Sequence, residues 1–290
     1  MEDLVQLGSI ALTSAALYAL VAVSVNIVYR ASGVVNFGVG HLMIFAGIFY
    51  ANGQAQGGWG RLVATILLGA GLGVGCYLIA VAYGERRGVN HTALALSCMG
   101  FGLILNYVAG ELWLKQGFRA VALWPGSVVV ADVNITNQRM VTWILGAVFL
   151  VLLVVFIERT MMGRAMEATA HDASLSQLYG VNVLLVGLLT WALAGAAVGL
   201  AGALQASIAS VGRPLALTFT VTGFAAAVVG GLGSVRGAVV GGALIAVAEV
   251  AIVRYVTTRY ALTLVFLILF IVLAVRPQGV FGYVRGVERA

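Results

Sequence analysis

Long apolar runs, separated by short polar or glycine-rich gaps, recur along the whole chain. A helix that crosses a bilayer needs about 20 mostly apolar residues. Runs of that kind cover Gly8 to Val28, Leu62 to Tyr83, Thr92 to Trp113, Val141 to Ile157 and Leu184 to Ser207. Others cover Leu217 to Leu232, Ala238 to Val256 and Leu262 to Val275. A further stretch, Val34 to Ala51, is apolar but rich in glycine, with Asn36 and His41 inside it. It reads as a short or broken helix, since irregular backbone at membrane depth is tolerated where protein or a cavity covers it. Leu217 to Leu232 is also short and runs into Gly230-Gly231-Leu232-Gly233-Ser234. The pattern predicts an all-α polytopic membrane protein with eight or nine transmembrane segments, some short or broken and Gly-rich, forming a single domain over residues 1–290.

Two polar gaps are long. Leu114 to Met140 contains Pro125, Gly126, Asp132 and Asn134, and residues 158–183 carry Glu158, Arg159, Arg164, Glu167 and Asp172. In the second, Asp172 is placed to cap a short helix, with Leu175, Leu178 and Tyr179 at i, i+3 and i+4 as its apolar stripe. Gly180 then suits the position after the helix, which favours a left-handed conformation. A short amphipathic helix outside the membrane either docks into a groove on a soluble partner or lies on the lipid headgroups. Periodicity leaves both open.

Composition agrees with the pattern. Hydrophobic residues make up 62% of the chain and charged residues 9%, against about 25% charged in a soluble domain. Such a chain has to be solvated by lipid. The net charge is +6, but the 16 Lys and Arg are scattered singly or in pairs, so no nucleic-acid footprint is expected. Nine spans with an external N-terminus put nine Lys/Arg inside and seven outside, with the Arg86-Arg87 pair and the basic tail after Arg276 in the cytoplasm. The acidic start, Met1-Glu2-Asp3, lacks the positive region of a signal peptide, so the first apolar stretch is expected to be retained as a helix. Cys76 and Cys98 lie inside apolar stretches, without metal or disulfide spacing, and read as small buried hydrophobes.

Glycines four apart recur: Gly69/Gly73, Gly71/Gly75, Gly195/Gly199, Gly233/Gly237 and Gly237/Gly241. Such pairs let helix backbones approach closely where lipid removes the hydrophobic force between helices. Gly233, Gly237 and Gly241 are the candidate packing positions late in the chain. Catalytic and metal constellations are missing, as is a Gly-x-x-x-x-Gly-Lys-Ser/Thr phosphate loop. No cofactor, metal or enzymatic role is expected of this chain. Ionisable residues within spans are the default functional candidates. His41 and Glu249 qualify, whereas Glu111 and Arg254 lie near span ends. His41 reads equally as a neutral helix-to-helix hydrogen bond or as part of a transport path with Asn36, and Glu249 leans towards a structural pairing with an arginine or backbone amides.

At the second polar gap the chain resembles the permease subunits of ABC importers for branched-chain amino acids, specifically the H-type (LivH-like) subunit. The resemblance rests there on Gly163-Arg164-Ala165-Met166-Glu167-Ala168 and on Asp172 to Asn182, with Gly180 in its family place; the family's Glu-Ala-Ala is Ser174-Leu175-Ser176 here. It extends to Tyr18-Ala19-Leu20, to Tyr29-Arg30-Ala31-Ser32-Gly33-Val34-Val35-Asn36-Phe37, and to Gly230 through Ala238 with Gly241-Gly242 and Glu249. It ends with Arg276-Pro277-Gln278-Gly279-Val280-Phe281-Gly282. His41 stands where the family commonly has an acidic residue. The motifs thus span nearly the whole chain.

The resemblance implies one half of a translocation path in the bacterial inner membrane, with the N-terminus outside and the C-terminus in the cytoplasm. It implies a second permease (M-type or another copy of this chain), two cytoplasmic ATPases holding ATP-Mg, and a periplasmic or lipid-anchored substrate-binding protein. The ATPases would dock at Arg164, Asp172, Leu175, Leu178, Tyr179 and Gly180, and the substrate would meet helix ends at the broken, Gly-rich segments near Asn36, His41 and Glu249. Importers of urea, short amides or aromatic acids share the pattern. An ion-gradient carrier or a passive channel is the reading from another class; neither needs an ATPase dock.

Overall fold

In a bilayer every backbone N–H and C=O has to be satisfied within the protein, which leaves helices as the economical solution for apolar runs. The computed structural model describes residues 2–52, 58–113, 119–130, 133–255, 257–276 and 278–281. Among the described residues, six helical stretches are long and apolar enough to cross a membrane. They contain α1 (Glu2–Ser32), α3 (Gly58–Cys76, continued by a π-helical turn, Tyr77–Ala82, and α4, Tyr83–Arg86), α5 (His91–Trp113), α6 (Asn137–Arg159), α9 (Val183–Ile208) and α11 (Val235–Tyr255). Three apolar helices are shorter: α2 (Val39–Asn52), α10 (Leu215–Gly230) and α12 (Ala261–Val275). At 1.5 Å per residue α2 and α10 reach only ~21 and ~24 Å, short of the ~30 Å hydrocarbon core.

These two short helices are the most enclosed. All but two of the 14 residues of α2 are buried. The chain enters α2 through a non-helical stretch, residues 33–38, and α10 through residues 209–214. The helix pairings then repeat with partners exchanged: α3 packs on α9 as α11 packs on α1, α2 on α9 as α10 on α1, and α2 on α5 as α10 on α12. The chain therefore contains two similar units, α1 to α5 and α9 to α12, interlocked through their first and third helices. The segment from α6 to residue 182 links them.

Glycine sets the closeness of these seams. Cβ atoms at Gly69 and Gly73 would collide with the backbone of Gly195 and Trp191, and a Cβ at Gly195 would strike Gly69. Gly47 and Gly202 do the same for α2 and α9. Not every glycine pair has this role, since a Cβ at Gly71 would meet nothing within 4 Å.

The structure departs from the sequence reading in two places. A two-stranded antiparallel hairpin, β1 (Ser127–Val130) with β2 (Val133–Thr136), sits in the first polar gap. Its β-branched residues have no span to join and pair with each other. The second gap holds two helices rather than one, α7 (Met161–His171) and α8 (Ala173–Leu178).

Candidate functional site

Both helices of the loop between α6 and α9 are capped at their N-termini. Thr160 caps α7, its hydroxyl accepting from the Gly163 N–H at 3.2 Å. Asp172 caps α8, accepting from Leu175 N–H at 2.9 Å and from the Ser174 hydroxyl at 2.6 Å. Those bonds, the Ser174 hydroxyl first, hold the Asp172 carboxyl below its usual range. At the other end Gly180 N–H donates to Gln177 O and Val181 N–H to Ser176 O, both at 3.0 Å. This is a Schellman close, and it requires the left-handed conformation that Gly180 adopts at φ +84°. Two ion pairs tie the region to the bundle: Arg30 on α1 with Glu167 on α7 at 3.0 Å, and Arg236 on α11 with Glu158 on α6 at 2.5 Å. Leu178 and Tyr179 are more than four-fifths exposed and Leu175 is half exposed; Arg164 is also exposed. An apolar tip on a capped, anchored helix pair can transmit force.

Asn36 and His41 share the N-terminal end of α2. Asn36 Oδ1 accepts from Gly38 N–H at 2.9 Å, Thr220 Oγ1 accepts from Gly40 N–H at 3.2 Å, and Gly38 O accepts from the His41 and Leu42 N–H groups. Neighbouring side chains and the first turn thus occupy the Gly38, Gly40, His41 and Leu42 donors. His41 is buried against Gly102 of α5, and its Nδ1 has no hydrogen-bond partner among the described residues.

Glu249 lies elsewhere, at the seam of α1 and α11. Its carboxylate accepts from the Tyr18 hydroxyl at 2.5 Å, and Tyr18 packs edge-on to Phe219. Its partner is thus a tyrosine, where an arginine or backbone amides were expected. Arg254, one turn on, pairs with Asp3 at 3.4 Å.

The late glycines divide. Cβ atoms at Gly237 and Gly241 would collide with Gly230 O and Ala226 O, so these two set the spacing of α10 and α11. Gly233 is a turn residue at φ +85°, and it does not sit on that packing face. The turn is held by Asn26, fully buried in α1. Its Nδ2 donates to Gly231 O (3.2 Å) and Ser234 O (2.9 Å), and its Oδ1 accepts from Gly233 N–H (3.1 Å). Sequence reasoning that sought ionisable residues passed Asn26 over; an asparagine inside an apolar span was the available signal. The tail docks on the same turn, with Val280 and Phe281 N–H donating to Val229 O and Gly230 O. Three motifs far apart in sequence thereby meet at one point.

On α5 the residues Ser97, Gly100, Ile104, Tyr107 and Glu111 follow helical spacing along one line. Ile104 and Tyr107 are 64% exposed, Ser97 and Glu111 are exposed, and a Cβ at Gly100 would meet nothing within 4 Å. Its counterpart in the second unit, α12, exposes Leu262, Phe266, Phe270 and Leu273 instead. Both outer helices expose large apolar groups, Leu96, Leu103, Ile104 and Leu112 on α5, and α5 adds Ser97, Gly100, Tyr107 and Glu111 along one line.

Residues 9–274 match the family described as branched-chain amino acid transport system / permease component. The chain belongs to that family. It is 33% identical over 285 residues to the high-affinity branched-chain amino acid transport system permease protein LivH of Salmonella typhimurium and of Escherichia coli, covering 91% of each chain. It is 29% identical over 291 residues to the corresponding permease protein BraD of Pseudomonas aeruginosa, with 93% of each chain covered. Among solved structures, PsaBC from Streptococcus pneumoniae in complex with Fab shares the fold, with a TM-score of 0.52 at 16% identity over 95% of both chains. The permease is thus a multi-pass inner-membrane protein and the membrane part of an ABC import system, whose other parts lie outside this chain.

Proposed function

We propose that this permease carries branched-chain amino acids across the membrane by ATP-driven alternating access, with the line of Ser97, Gly100, Tyr107 and Glu111 on α5 facing a second permease across the path. The exposed polar line carries the reading. Small and polar residues such as Ser97, Gly100 and Tyr107 are favoured where a membrane helix meets protein, Glu111 lies near the end of the helix, and the interlocked α2 and α10 leave little room for a path through the chain's own centre. The α7–α8 tip, with Arg164, Leu175, Leu178 and Tyr179, docks the ATPases, which hold ATP-Mg; a separate binding protein delivers substrate at the opposite face. Nine helices then cross or enter the bilayer, with the N-terminus outside, the C-terminus in the cytoplasm and all of residues 1–290 in one permease domain. Support comes from the names of the relatives for the substrate, and from the capped, anchored loop for the coupling.

The test is uptake of labelled leucine by the reconstituted complex carrying Gly100→Trp, which places a large ring on the α5 line at a position where a Cβ meets nothing within 4 Å. Uptake should fall at least about tenfold with assembly retained. Normal uptake by an assembled Gly100→Trp complex removes α5 from the path. Competition by valine and isoleucine, but not by urea, short amides or aromatic acids, is expected for the substrate class; dominance by one of the latter overturns it.

A further inference from the structure

A cavity of about 530 Å³ opens between the end of α1, the π-helical turn, the start of α5, the α7–α8 loop and the start of α9. Its volume is that of a small-molecule site, for which about 300–1,000 Å³ is usual. The wall mixes apolar residues, Val183 and Leu184 among them, with the polar Ser32, Glu85, His91, Thr169 and Gln177. Trp191 belongs to the same wall. It is 1% exposed, and its Nε1–H is buried with no acceptor among the described residues. An indole N–H can only donate, so what the site lacks is an oxygen. Glu85 supplies the complementary charge, an acceptor for a cation.

We propose that this cavity binds a free α-amino acid with an apolar side chain, its carboxylate accepting from Trp191 Nε1–H and Gln177 while its ammonium group meets Glu85. The wall takes only His91 from α5 and none of the residues of the line from Ser97 to Glu111. On the topology and coupling proposed above, it opens on the cytoplasmic side and touches α8 through Gln177 and α7 through Thr169. A ligand that bridges α8 to α9 and to Glu85 of α4 holds the loop still while the ATPases must move it. The released substrate is then an inhibitor of its own import.

Two measurements separate this site from the transport reading. The first is equilibrium binding of labelled L-leucine to the purified complex without its binding protein. Saturable binding is expected, weakened about tenfold or more by Trp191→Phe, which keeps the ring and removes the N–H, and likewise by Glu85→Gln; tenfold corresponds to losing one charge-assisted hydrogen bond. 3-Methylbutylamine, which lacks the carboxylate, should compete poorly. The second is ATP hydrolysis by the complex in vesicles preloaded with 0 to excess L-leucine on the ATPase side, expressed for each variant relative to its own leucine-free rate. Internal leucine should slow the wild type, and the half-inhibitory concentration should rise about tenfold in both variants. Absent or unchanged binding overturns the site whether or not the complex transports. Binding without any effect of internal leucine on hydrolysis overturns the regulatory role.

Discussion

Replacing Gly241 by Leu should separate α10 from α11. Any Cβ there collides with Ala226 O and stands 2.7 Å from Gly230 N and 3.0 Å from the Gly230 Cα. All three neighbours are backbone, so no side chain can rotate away and the helices themselves must move apart. Overpacking a well-packed interior costs about 1–3 kcal/mol, and a clash with backbone belongs at the upper end, about 3 kcal/mol. For a domain of this size each kcal/mol lowers Tm by about 2–4 °C, which gives a drop of roughly 6–12 °C. The control is Gly71→Leu on α3, where a Cβ would meet nothing within 4 Å; it should melt within about 2 °C of the parent. Melting in detergent, followed by tryptophan fluorescence or by loss of the monodisperse peak, reads both. Equal melting of the two variants refutes the packing argument.

Gly180→Pro removes the N–H that bonds Gln177 O and demands φ near −65° where the chain has +84°, so it should leave insertion intact and uncouple ATP hydrolysis from uptake. Leu175→Glu with Leu178→Glu should do the same by placing charge on the exposed tip; normal transport by both in reconstituted vesicles would show that this loop is not the dock. Asn26→Leu strips three hydrogen bonds from the Gly231–Ser234 turn and leaves buried backbone unpaired at about 1–3 kcal/mol. A fall in detergent melting of several degrees is expected, and an unchanged Tm would show that the turn is held by other contacts.

Apolar runs of the right length were enough to place the six membrane-length helices of the described residues, because the bilayer asks only for continuous apolarity and internal hydrogen bonding. Local chemistry likewise specified α8: Asp172 at its start and Gly180 at its end act within a few residues of themselves, so no tertiary context was needed to read them. Even Gly237 and Gly241 could be proposed as close-packing positions from their spacing. Which face each helix buries was not legible in the same way. Apolar residues surround most spans, and lipid and protein interior are solvated alike, so Gly71 and Gly73 look equivalent although one faces open space and the other meets Trp191. Only the interlocking of α1, α3, α9 and α11 decides that. The same holds for the polar groups. Asn26 and the Gly231–Ser234 turn are about 200 residues apart, Glu249 and Tyr18 are 231 apart, and the cavity beside Trp191 draws its wall from five separate parts of the chain. Sequence supplied each of these residues, but a hydrogen bond needs its partners within a few tenths of an ångström, so only the folded bundle settled which donors find an acceptor and which, like the Trp191 N–H, find none among the described residues.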